Sequence, residues 1–118
     1  MALSQGDKEL IVEALMASRR QAQLAELSLR SQGKNAEADK LHDATRILSS
    51  KIDALIAGMM RDWLGQIDQV IGDLKARTVD LEKAVDQIKK QVAVAQTVVK
   101  VIGYVDQAVA IAAKVLAA

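Results

Sequence analysis

The one histidine of the chain, His42, follows Asp39 by one helical turn in Glu37-Ala38-Asp39-Lys40-Leu41-His42-Asp43. A carboxylate and an imidazole at i, i+3 share a helix face, and inward-facing pairs of this kind hold di-metal centres in helical bundles. Such a centre needs two copies of the motif and two further carboxylates. This chain supplies one copy, beside a polar face, so metal binding by Asp39 and His42 would need two chains. The plainer reading is a solvated histidine, and no cofactor is expected. The chain has no cysteine, which excludes thiolate ligation, a disulfide framework and cysteine nucleophiles. It has no GxxxxGK(S/T) loop, GxGxxG turn or GxSxG elbow, so nothing points to an enzyme.

Four other residues stand out by type. Asp106 interrupts an apolar register. It is either a buried polar residue that fixes pairing or a hydrated residue at the edge of the polar stripe. Thr78 reads as an ordinary threonine or a cap. Trp63, beside Met59-Met60, is core, half-buried, or an interface anchor. Tyr104 lies on the lysine side of its helix and should be partly exposed.

The elements that position these residues are helices. The chain has 118 residues, no proline and 2% aromatics, which disfavours a β-sandwich and fits one domain over residues 1–118. A first helix spans about 4–31, with Ser4-Gln5-Gly6-Asp7 at capping-box spacing. Its seam is Ile11, Leu15, Ser18, Ala22, Ala25 and Leu29, and the period is 3.6. Gly33 ends it in a left-handed turn. Asn35 then caps a second helix, about 35–63, with Glu37 in its first turn. That seam is Leu41, Thr45, Leu48, Ile52, Leu55 and Met59. It slips one residue to Met60, Leu64 and Ile67. The slip marks either a break near Gly58 or Gly65, or a local insertion in a continuous helix; two flanking glycines favour the break.

From Met60 the alternating four-three spacing runs on through Leu64, Ile67, Ile71, Leu74, Thr78, Leu81, Val85, Ile88, Val92, Ala95, Val99, Ile102, Asp106, Val109, Ala113 and Leu116. A repeat this long predicts coiled-coil-like packing. Gly58, Gly65 and Gly72 recur at sevens, either as a strip for close helix approach or as three unrelated glycines. Beyond Gln91 nearly all polar residues fall on one narrow stripe, leaving an apolar arc about 200° wide against the ~100° of an ordinary surface helix. Such a helix must be covered on several sides.

Charge narrows the partners. Sixteen Lys and Arg face fifteen Asp and Glu, balanced along the chain, so no nucleic-acid surface is expected. The opening Met1-Ala2-Leu3-Ser4 lacks a signal-peptide pattern, which makes the cytoplasm the expected location. Lys100 and Asp106 interrupt the last apolar run, and each costs about 2.5–3.5 kcal/mol at a bilayer centre, so a membrane span is not expected.

The fold expected is all-α. An antiparallel hairpin (about 4–63) of two helices ~42 and ~43 Å long precedes a single heptad-patterned helix (about 66–117) of ~78 Å, which overhangs the hairpin by ~35 Å. The alternative is a compact four-helix bundle, bent back near Gly72 or Gly103. The function expected is non-enzymatic: a helical interaction or scaffolding protein that self-associates, first as a dimer, through Leu74, Leu81, Val85, Ile88, Val92, Val99, Ile102, Val109 and Leu116. A membrane-active protein of toxin or lysis-associated kind, using residues 92–118, is the alternative, and metal binding by Asp39 and His42 is a further one.

Overall fold

Apolar residues spaced alternately four and three apart give each helix one stripe to bury, and four such stripes enclose the core. The computed structural model describes residues 5–57 and 67–115. They form α1 (Gln5–Ser31), α2 (Asn35–Ile56), α3 (Ile67–Lys89) and α4 (Val94–Val115), with no strand among the described residues. The protein is an all-α four-helix bundle, 48 × 22 × 17 Å. The phase slip at Met60–Leu64, with Gly58, Met59, Trp63 and Gly65, lies outside the described residues, as does Leu116.

The first two helices form the expected antiparallel hairpin. All six seam residues of α1 are fully buried. The chain leaves α1 through a Schellman motif: the Lys34 amide donates to Leu29 and the Gly33 amide to Arg30, with Gly33 at φ 75°. Glycine takes that left-handed conformation without a Cβ penalty. Asn35 is not the cap expected of it. Lys34, already the last residue of the motif, occupies the N-cap position, makes no side-chain cap bond, and accepts the Ala38 amide through its carbonyl. Helix α2 starts at once and buries Leu41, Thr45, Leu48, Ile52 and Leu55 as predicted, joined by Ala38 and Ala44. It ends at Ile56, before Gly58.

Helix α3 runs parallel to α1, since Ser18 pairs with Thr78 and Gln32 with Ile88. Leu74, Leu81, Val85 and Ile88 are buried, and Ile67 and Ile71 pack on the core from its edge. Helix α4 returns antiparallel to α3, with Gln87 beside Thr97 and Arg77 beside Gln107. Around the bundle, α1 touches α2 and α3, α4 touches the same two, and α1 and α4 approach across the diagonal.

The single long C-terminal helix is therefore corrected to two helices. The bundle alternative stands, but its bend is not at Gly72 or Gly103, which both lie inside helices. A Cβ at either would meet nothing within 4 Å, so Gly72 serves no close helix approach. The bend is at Lys90–Ala93 and is again a Schellman motif. The Val92 amide donates to Gln87 and the Gln91 amide to Ile88, with Gln91 at φ 60° and Ala93 at φ 44°. Here glutamine holds the position that glycine holds after α1. A Cβ in that conformation costs about 1–2 kcal/mol, so the sequence carries no stop signal.

The turn also resets the register. The expected seam through Val99, Ile102, Asp106, Val109 and Ala113 is displaced by one residue. Helix α4 buries Val98, Val101, Val105, Ala108, Ala112 and Val115 instead. Both registers keep the four-three spacing. The expected register carries exposed Asp106, whereas the buried one is wholly apolar and lies opposite Gln96, Lys100, Gln107 and Lys114; the turn sets α4 in that rotation.

One polar pair crosses the core. Ser18 is fully buried and its Oγ lies 2.8 Å from Thr78 Oγ1. Thr78 donates its own proton to the Leu74 carbonyl at 3.0 Å, so Ser18 is the donor between the two hydroxyls. Removing Thr78 alone strands a buried hydroxyl, whereas removing both leaves an apolar contact. Thr78→Val should cost about 1–2 kcal/mol in urea unfolding, and Ser18→Ala/Thr78→Val should cost less than Thr78→Val alone. Additive losses would show that the two hydroxyls do not depend on each other.

Candidate interaction surface

The buried stripe of α4 covers only part of its apolar arc. One residue further round lies the expected seam, on the shoulder that faces α2 and solvent. Val99 is 70% exposed and Val92 52% exposed. Ile102 and Val109 are half-buried against the core edge, and Ala95 and Ala113 are exposed. The pairings of α1 with α2, α1 with α3 and α3 with α4 place Ile47 of α2 at the height of Ile102. Ile47 lies one turn beyond buried Ala44 and is 51% exposed. Valine, isoleucine and alanine thus share a strip along the α2–α4 edge. Asp106 interrupts the strip, but exposed apolar residues grouped on one edge mark a contact site more often than does a lone exposed leucine.

The nine residues expected at the interface are thereby divided. Leu74, Leu81, Val85 and Ile88 lie within the chain's own core. Val99, Ile102 and Val109 lie on the shoulder, Val92 is exposed in the turn before α4, and Leu116 lies outside the described residues. Asp106 is exposed on the same side as Val99, hydrated rather than buried. The physical reason for the division is the turn at Lys90–Ala93, which rotates α4 relative to α3.

Asp39 and His42 do not converge on a common centre. Both are exposed. Asp39 accepts from Arg30 Nη2 at 3.0 Å, and the His42 Nδ1 lies 3.0 Å from Glu26 Oε1. Arg30 Nε also donates to Glu26, at 3.1 Å. Its hydrogen bonds to Asp39 and then to Glu26 raise the Arg30 pKa above the ordinary arginine range. The four side chains form a chain of hydrogen bonds across the α1–α2 hairpin. Among the described residues no group of three or more His, Cys, Asp or Glu is placed to hold a metal ion, and no helix is long and apolar enough to cross a membrane.

Arg77, one charge among many in the run from Asp73 to Lys90, carries a structural role. It closes the α3–α4 hairpin from outside. Its Nη1 donates to Gln107 Oε1 at 2.9 Å, its Nη2 lies 3.1 Å from Asp80, and its guanidinium stands 5.7 Å from the ring centroid of half-buried Tyr104. An isolated arginine in a charged run gives no signal of this. The antiparallel return of α4 had to be known first.

No protein-family model, curated protein or solved structure matches this chain.

Arg77→Ala removes the cation–π contact and the bond to Gln107 together. It should lower stability by about 1 kcal/mol in chemical unfolding, a small effect because the group is partly exposed. No change in the midpoint would show that the cluster is a surface decoration.

Proposed function

We propose that this chain is a non-enzymatic helical interaction protein that self-associates, first as a dimer, through the α4 shoulder. The observation that supports the reading is the exposure of Val99, beside half-buried Ile102 and Val109 on α4 and near exposed Val92 in the turn before it. Burying a valine side chain from water contributes about 1.5 kcal/mol or more, so several valines and isoleucines drive association when they are covered together. The interface is the outer half of the expected seam; the inner half builds the bundle. The side chains with the best chemical credentials serve structure: Asp39 and His42 are engaged in hydrogen bonds to α1, Ser18 and Thr78 in the core, and Arg77 in the hairpin.

Val99→Glu places a charge at the centre of this strip without touching the core. It should abolish dimers in sedimentation velocity while leaving the unfolding free energy of the monomer within about 0.5 kcal/mol of the parent. Lys83→Glu, on an exposed face of α3, should change neither. Dimers that persist in Val99→Glu would place the contact elsewhere.

A further inference from the structure

The four-three repeat of the sequence does not stop where the helices do. Leu81, Val85 and Ile88 of α3 continue without a missed beat into Val92, Ala95, Val99 and Ile102, across a turn that the structure places at Lys90–Ala93. Residues 73–102 contain neither glycine nor proline, so nothing in the covalent chain opposes a continuous helix there. The turn is the part under strain. Gln91 and Ala93 both hold positive φ, at 60° and 44°, a conformation that a Cβ resists. Helix α4 thus carries two apolar registers. One is used in the hairpin. The other is in phase with α3 and is only partly covered, with Val99 exposed and Ile102 and Val109 half-buried.

We propose that two copies of this chain exchange α4. This rests on the self-association reading and names how it happens. The Lys90–Ala93 turn straightens, and α3 and α4 fuse into one helix over residues 67–115, ~73 Å long. Each α4 seats its Val98, Val101, Val105, Ala108, Ala112 and Val115 face in the other copy's α1–α2–α3 cleft. The partner is a second copy because that cleft is the complement of this α4 face. Two gains are specific to the exchanged form: Gln91 and Ala93 relax into helix, and Val92, Ala95 and Val99 become continuous with the α3 seam.

The test uses the absence of native cysteine. Asp73 and Lys114 are exposed and line one groove between α3 and α4. The full chain carrying Asp73→Cys and Lys114→Cys is spin-labelled, refolded with an excess of unlabelled chain, and measured by double electron–electron resonance on the isolated dimer. Exchange predicts an intramolecular separation of ~62 Å, the rise of a continuous helix between the two positions. A dimer whose labels stay at neighbouring-helix separation, roughly 10 Å plus the label arms, overturns the exchange and leaves self-association standing. A chain that is monomeric at every concentration overturns both. A second variant reads the hinge itself. Gln91→Gly/Ala93→Gly removes the strain of the turn and weakens the fused helix, so the dimer dissociation constant should rise by at least about a hundredfold. An unchanged constant would mean that the dimer forms with the turn intact.

Discussion

An apolar arc of about 200° on one helix is more than a four-helix bundle can cover. Everything distinctive in this molecule follows from that mismatch. Three neighbouring helices bury one stripe of α4, from Val98 to Val115. The rest of the arc, from half-buried Ile102 and Val109 to exposed Val99, is only partly covered. The hydrophobic effect has no direction of its own. It requires that apolar surface be covered, and leaves the choice of register to the turn that precedes the helix.

That division of labour explains which parts of the fold are legible in the sequence. The α1 and α2 seams, the Gly33 loop between them and the α3 seam as far as Ile88 can all be read from spacing and one glycine. Their apolar residues are flanked by charges, so only one rotation of each helix buries them. The turn after α3 leaves no such trace. Its left-handed position holds Gln91, and the same hydrogen-bond pattern that Gly33 announces after α1 passes silently here. The register of α4 is legible only once the turn is known: Gln96, Lys100, Gln107 and Lys114 mark the wet face, whereas a heptad counted on from α3 runs through Val99 and Asp106 instead. Four of the nine residues expected at the interface, Leu74, Leu81, Val85 and Ile88, are used by the bundle itself.

The polar side chains add specificity rather than bulk stability. Ser18 and Thr78 allow one alignment of α1 with α3, because a shift of either helix leaves a buried hydroxyl without its partner. Gln32, donating to the Ile88 carbonyl at 2.7 Å, ties the end of α1 to the end of α3 beside the second Schellman turn. Arg77 marks the alignment of α3 with α4 from outside. Spacing alone announces none of these contacts, since each joins residues that only the tertiary fold brings near. The Asp39–His42 motif shows the converse. Its spacing fits metal ligation, yet the hairpin supplies each residue with its own hydrogen-bond partner, Arg30 and Glu26.

The two registers of α4 can be read directly by a thiol-reactivity scan. Single cysteines replace Val98, Val99, Val101, Ile102 and Val105 in turn, and labelling rates are followed from dilute to concentrated protein. The account predicts slow labelling at 98, 101 and 105 throughout. At 99 it predicts fast labelling in dilute solution that slows as concentration rises. Fast labelling at 98 with protection at 99 in dilute solution would contradict it, and so would a rate at 99 that is indifferent to concentration.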